Sequence, residues 1–347
     1  VTVKSDPSTN RLYLNLGGGS FTRVTSSSIF TDHAHSFSCA WGDYDNDGYL
    51  DLFLPNGSQN FLYHNNGDGT FIRITDSTTG SIITDATGGV CAWGDYDNDG
   101  FLDLFVASAP PQDYLYHNNG DGSFTRILTG SPINDGGINP VGCAWGDYDN
   151  DGFLDLFVAR GADAAVESNL LYRNNGNSNG WLKVKLVGTV SNRSAIGAKV
   201  RIRATIGGRA FWQMREINTG SGFSAGPLEA HFGQGDATNI DLVRIEWPSG
   251  IVQTMTNVPP RRFLTVVERQ AFGTITTPSF TDVSRATNGM VNLSATGDTG
   301  LLYLLEASTN LVNWTKLGVR SNATGTVGFT DPKATNYASR FYRMSIP

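Results

Sequence analysis

One fifteen-residue string, Cys-Ala-Trp-Gly-Asp-Tyr-Asp-Asn-Asp-Gly-(Tyr/Phe)-Leu-Asp-Leu-Phe, occurs three times, beginning at Cys39, Cys91 and Cys143. The spacing is 52 residues both times. A period of this size means one supersecondary unit per copy, each burying its apolar face on its neighbour. A second half-motif accompanies the first. Leu62-Tyr63-His64-Asn65-Asn66-Gly67-Asp68-Gly69-Thr70-Phe71 returns from Leu115 to Phe124, and in decayed form from Leu171 to Gly176. Its outer part, Leu12-Tyr13-Leu14-Asn15, also precedes the first copy.

Asn-Gly and Asp-Gly between alternating apolar residues mark hairpin turns, because both tolerate positive φ. Each copy therefore supplies four short strands, which in the second copy fall at about 90–95, 102–107, 113–118 and 124–128. Sustained helical periodicity is absent, and Val/Ile/Thr/aromatic runs broken by Gly, Asn and Asp continue to the C-terminus. The fold class is all-β, with propeller-type four-stranded blades followed by two β-sandwich-like domains. With residues 1–25 supplying only the outer half of a preceding blade, the count is about three and a half. A propeller needs at least four blades to close, so either the chain has lost blades or its repeats form an open arc with unpaired edges.

The repeated turn is also a cage of hard oxygens. Asp43, Asp45 and Asp47 bring three carboxylates around one turn, Gly48 reverses the backbone, the Tyr49 carbonyl points inward, and Asp51 closes the shell. The same roles fall to Asp95, Asp97, Asp99, Phe101 and Asp103, and to Asp147, Asp149, Asp151, Phe153 and Asp155. Six to eight oxygens suit Ca2+; magnesium demands a stricter octahedron, and transition metals prefer His or Cys. Three calcium sites of structural purpose are expected. An EF-hand is excluded, since it needs flanking helices and a Glu at position twelve. Formal charge is −7, and the cages hold 12 of the 32 acidic residues. Three divalent ions would bring it to −1, so the acidity is mostly ligand charge.

The repeats resemble the FG-GAP/VCBS repeats of integrin-type β-propellers, whose calcium loop runs Asp-x-Asp-x-Asp-Gly-x-x-Asp. Residues 181–268 resemble the ASPIC/UnbV domain, through Asn192-Arg193-Ser194-Ala195-Ile196-Gly197-Ala198, His231-Phe232-Gly233-Gln234-Gly235-Asp236 and Trp247-Pro248-Ser249-Gly250. From about residue 278 the chain resembles a C-terminal β-module of secreted proteins of environmental bacteria, through Tyr303-Leu304-Leu305-Glu306-Ala307-Ser308, Trp314 and Arg340-Phe341-Tyr342-Arg343. The implied domains are 1–178, 179–270 and 271–347, with a short linker at 273–278. The resemblance implies a secreted or cell-surface protein. Family propellers commonly close a ring of seven blades, and this chain departs from that count.

Other chemistry reads weakly. One Cys per repeat at equivalent positions behaves as a small buried apolar residue, and an odd count leaves at least one out of any disulfide. His64 and His117 recur before the hairpin turn, which favours packing over catalysis. Asp32-His33-Ala34-His35 offers two imidazoles on one strand face, but the other repeats lack them. Gly222-Phe223-Ser224-Ala225-Gly226 matches a nucleophile elbow without its strand–turn–helix context. Arg201, Arg203, Arg209 and Arg215 read as solvated faces, and no basic stripe points to nucleic acid. No apolar run is long enough for a membrane span. The start at Val1 fits a processed secreted protein or a fragment.

The expected function is therefore non-catalytic: a calcium-stiffened extracellular subunit that assembles with copies of itself into a fibre or surface layer. The alternative is an adhesion module that binds a glycan or matrix protein, with exposed aromatics such as Tyr114 as contacts.

Overall fold

The computed structural model describes residues 10–25, 29, 31–32, 36, 38–85, 87–108, 112–134, 140–161, 168–220, 227–269, 278–298 and 302–345. The imidazoles of His33 and His35 and the Gly222–Gly226 string lie outside these residues. The chain divides into two compact units at residues 270/271.

Alternating side chains and tight turns give all-β architecture with small, mostly antiparallel sheets and, among the described residues, no closed barrel. An N-terminal hairpin pairs β1 (Tyr13–Gly17) with β2 (Ser20–Arg23). The first full repeat is β3 (Ala40–Gly42), β4 (Asp51–Leu54), β5 (Phe61–Asn65) and β6 (Phe71–Arg73) in meander order. The second is β7 (Val90–Gly94), β8 (Asp103–Ala107), β9 (Tyr114–Asn118) and β10 (Phe124–Ile127), each strand within a residue or so of its expected span. The third has three strands among the described residues, β11 (Pro140–Gly146), β12 (Asp155–Arg160) and β13 (Leu170–Tyr172). After β13 the chain leaves the repeat pattern.

One contact joins successive repeats, and it is used twice. The Trp93 indole lies against Gly42, where a Cβ would sit 2.7 Å from Trp93 Cδ1. Its Nε1 donates to the Ala40 carbonyl at 3.3 Å, and Tyr44 stacks on its ring at 6.2 Å. Trp145 meets Gly94 the same way, donating to the Ala92 carbonyl at 3.1 Å with Tyr96 stacked at 6.4 Å. Side-chain amides tie the loops across the same seams. Asn46 donates to the Gly100 carbonyl and Asn98 to that of Gly152, both at 3.0 Å. Asn118 and Asn174 donate to the Tyr44 and Tyr96 carbonyls. Phe53, Leu62, Cys91 and Leu104 fill the first seam, and Phe105, Leu115, Cys143 and Leu156 the second. None of the three cysteines is in a disulfide.

Two sheets follow in the same unit. β14 (Gly180–Val187) pairs antiparallel with β17 (Glu229–Gly235) and parallel with β20 (Arg262–Val267). Facing it are β16 (Arg209–Glu216), β15 (Lys199–Ile206), β18 (Ile240–Glu246) and β19 (Val252–Val258), in that order. Leu182, Val184, Val200, Ile202, Phe232, Val243 and Ile245 form their shared core. The second unit stacks a sheet of β21 (Ser279–Arg285), β22 (Val291–Thr296) and β25 (Thr326–Asp331) on one of β24 (Thr315–Ser321), β23 (Leu302–Ser308) and β26 (Phe341–Ser345). Leu293, Tyr303, Leu305, Val327 and Phe329 lie between them. Among the described residues no helix is long and apolar enough to cross a membrane.

Glu268 fastens the end of the first unit. Its Oε2 accepts from the backbone N–H groups of Thr189, Val190 and Ser191 at 2.7–2.8 Å, and its Oε1 from the hydroxyls of Ser191 and Ser249. Burial pulls its pKa upward, but these donors outweigh it and hold the carboxyl at about 2. A depressed folded pKa stabilises above the unfolded value of about 4.3 and is lost as pH falls towards 2. Glu268→Gln is therefore expected to lower the Tm at pH 7, with the gap from the parent shrinking between pH 4 and pH 2 in parallel thermal melts.

Candidate metal centres

Each acidic turn sits between the first and second strands of its repeat, and its backbone explains its sequence. Asn46, Asn98 and Asn150 all have φ of 60°, and Gly48, Gly100 and Gly152 have φ of 91–98°. Two left-handed residues in three turn the chain sharply enough to gather the carboxylates, and Asn and Gly are the residues that occupy this region at low cost. The first Asp caps the turn from inside. Asp95 accepts from the amides of Asp99 and Gly100 at 3.1 and 3.0 Å, and Asp147 accepts from Asp151 and Gly152. Asp43 accepts from Gly48 at 3.2 Å. The last Asp, at the start of the second strand, bridges two segments: Asp51, Asp103 and Asp155 each accept from the residue after the first Asp and from an Asn at or just after the end of the third strand.

The turns converge as the spacing requires. Carboxylate oxygens of Asp43, Asp45 and Asp47 lie within 4.8 Å of one another, as do those of Asp95, Asp97 and Asp103, and those of Asp147, Asp149 and Asp155. Asp51 joins Asp45 and His64 in a second grouping, and Asp99 joins Asp97 and His117. Asp151 is placed at the third turn by accepting the Phe153 amide at 3.0 Å. Tyr49, Phe101 and Phe153 donate their amides to the third Asp of their turns.

Burial charges these turns with a cost. Desolvation, then the neighbouring carboxylates, push Asp43 to about 7 and Asp51 to about 8, against hydrogen bonds that pull the other way. Asp103 is raised to about 7 and Asp95 well above the ordinary carboxylate range, for the same first reason. The Oδ1 atoms of Asn46 and Asn98 are buried without a hydrogen-bond partner beside the turns. Oxygen donors, mutually repelling carboxylates and orphaned acceptors fit a hard divalent cation.

Three groups escaped the sequence reading. His64 and His117 do more than pack: the His117 ring lies edge-on to Tyr96, while Nδ1 of His64 lies 3.0 Å from Asp45 and 3.4 Å from Asp51, and that of His117 3.2 Å from Asp97 and Asp103. Close approach to Asp103, opposed by burial, raises His117 to about 9. At the equivalent position, just after β13, Arg173 pairs with Asp149 at 2.6 Å and Asp151 at 2.9 Å. Recurrence of His, His, Arg before the same Asn was the available signal.

Two of the four arginines read as solvated faces also engage the turns. Arg201 donates to the Gly48 carbonyl at 3.3 Å. Arg215 is enclosed, its pKa lowered by burial against the opposing pull of Asp95 and Asp43. Arg203 and Arg209 are exposed as expected.

Strands β14 to β17 thus rest on all three turns. Besides Arg201 on the first, the amide of Gly233 donates to Asp95 at 3.0 Å and that of Gly235 to the Asn98 carbonyl at 2.8 Å. On the third, His231 Nε2 lies 3.1 Å from the Gly152 carbonyl, and Lys183 Nζ lies 3.5 Å from Asp147. Burial lowers His231 to about 4, so the ring is neutral and Nε2–H donates. Between turns and strands lies a cavity of about 970 Å³, lined in part by Trp41, Trp93, Trp145, Arg215, Glu229 and His231.

A family model described as FG-GAP-like repeat matches residues 1–54, 46–106 and 95–158, and one described as ASPIC and UnbV matches residues 188–272. Cartilage acidic protein 1 of Mus musculus is 29% identical over 70% of this chain and 38% of its own length. Its Homo sapiens counterpart is 28% identical over 70% of the chain and 37% of its own length. The chain thus spans well under half the length of these relatives. Among solved structures, one described as the structural basis of specific recognition of non-reducing terminal N-acetylglucosamine by an Agrocybe aegerita lectin aligns at 16% identity. It covers 92% of this chain and 79% of its own, with a TM-score of 0.35.

A Cβ at Gly233 would lie 2.5 Å from the Asn98 backbone. Gly233→Ala is expected to cost about 1–3 kcal/mol through overpacking, read as a lowered denaturation midpoint of the first unit.

Proposed function

We propose that this chain, which carries FG-GAP-like repeats joined to an ASPIC and UnbV domain, is an extracellular binding module whose repeats are stiffened by calcium. The observation that carries the binding reading is the cavity between the turns and β16–β17. Trp41, Trp93 and Trp145 line it together with Arg215, Glu229 and His231. A concave site with apolar walls and a few convergent polar groups is the usual form of a small-ligand site. A glycan presents both surfaces, and a protruding side chain of a matrix protein is the alternative occupant. The relatives are named for cartilage, a tissue rich in extracellular matrix, which favours an extracellular setting for this chain. No step of bond making is ascribed to the acidic residues, because as ligands their carboxylates have no proton to transfer. A self-assembling role is the second reading, favoured by the third repeat's exposed Tyr148, Phe157 and Leu171, whose counterparts in the first repeat are buried.

Calcium would be held by Asp43, Asp45, Asp47, Asp51 and the Tyr49 carbonyl, and by their counterparts in the other repeats. The ion would supply the positive charge that four clustered carboxylates lack. Extracellular modules bind it at about 10⁻⁴–10⁻³ M, matching an extracellular rather than cytosolic supply. The third turn already holds Arg173 on two of its acids and Lys183 near a third, so an ion there must displace or tolerate two fixed cations.

Screening on glycan and matrix-protein arrays is expected to give a ligand whose binding falls at least tenfold with Trp41→Ala or Glu229→Gln. Array signals equal in parent and variants overturn the cavity as the site. Excess chelator is expected to lower the Tm of the first unit, and an unchanged melting curve sinks the calcium assignment. Calorimetric titration with calcium is expected to resolve two tighter sites and a weaker one, with Arg173→Ala tightening the weaker.

A further inference from the structure

Among the described residues, two repeats end against a following repeat and the third does not. Gly42 receives Trp93 and Gly94 receives Trp145, whereas nothing among the described residues lies within 4 Å of a Cβ built on Gly146. The ring that stacks on the incoming indole is 6% exposed at Tyr44 but 52% at Tyr148. Phe53 and Phe105 meet that indole edge-on and are fully buried; their counterpart Phe157 is 41% exposed. Its cross-strand partner Leu171 is 56% exposed, while the equivalent Leu62 and Leu115 are buried. The Ala144 carbonyl holds the register of the two that accept an indole N–H, since Ala40, Ala92 and Ala144 pair with Phe53, Phe105 and Phe157. A stacking ring, an edge-on ring, a bare glycine and an acceptor thus recur together without their tryptophan.

Beside Gly146 and Tyr148 lies a groove of about 670 Å³, bordered also by Asp147, Lys185, Arg193 and Glu229. We propose that this face is a docking socket for the inner strand of another repeat of the same type, presenting an Ala-Trp-Gly indole to Gly146. The occupant follows from continuity, because the same contact is made twice inside this chain. Charge agrees with it. Such a strand leads directly into four aspartates; Lys185 and Arg193 are exposed at the groove's border, while the two acids there, Asp147 and Glu229, are both held by Lys183. The proposal stands whether the module's own ligand is a glycan or a matrix protein.

The test uses the full chain with calcium and a labelled peptide of residues 90–107, prepared linear and cyclised across its ends. Saturable binding is expected, weakened at least tenfold by Gly146→Val in the protein or Trp93→Ala in the peptide. Gly146 lies in β11 with open space at its Cβ, so Gly146→Val is expected to leave the Tm unchanged, whereas Gly94→Val lowers it. Light scattering serves as a second readout. Concentration-dependent association of the chain that Gly146→Val abolishes identifies a second copy as the carrier of the strand. Failure of both peptide forms to bind, or binding indifferent to Gly146→Val and Trp93→Ala, overturns the socket.

Discussion

Four carboxylates gathered in one nine-residue turn dominate the energetics of the first unit. Bringing like charges together and out of water is unfavourable twice over, and the raised pKa values of Asp43, Asp51, Asp95 and Asp103 record both terms. Everything near the turns answers that cost. Backbone amides point at the first and last Asp, a His or Arg at or just after the third strand leans on the middle ones, and the following domain sets Arg201, Arg215 and Lys183 around them. What remains uncompensated is met by a divalent cation in the reading proposed above.

This arrangement joins two pieces of chain that are separate in sequence. The turns serve their own repeats by fixing the start of each second strand. They also form the seat for β14 to β17, through Gly48, Asp95, Asn98 and Gly152. Loss of order in one turn would therefore be felt in the seam between repeats, through Asn46 and Asn98, and in the domain above. The repeats and the domain behave as one compact unit for this reason.

The sequence made the repeats legible because their determinants are local. Asn-Gly turns, alternating apolar residues and a 52-residue period need no knowledge of distant contacts, and the strands of the second repeat fall where that pattern puts them. The acidic turns were legible for the same reason. What was not legible involves partners far apart in the chain. Arg215 feels the charges of Asp43 and Asp95 across more than a hundred residues of sequence, and nothing around it in the sequence distinguishes it from exposed Arg203. Glu268 offered no signal either, since its donors are mostly backbone amides and only the fold brings them near. His64 lay between these cases: its recurrence was visible, but a strand position alone does not say which loop it faces.

The parallel pairing of β14 with β20 has a mechanical consequence. These are the first and last strands of their domain, in register from Leu182–Arg262 to Val187–Val267. The chain enters at the start of β14 and leaves at the end of β20, so the two attachment points lie at opposite ends of the pair. A pull along the chain would load all six register pairs together in shear, instead of peeling them one after another. For a protein tethered at both ends, that geometry makes this sheet a strong element under tension.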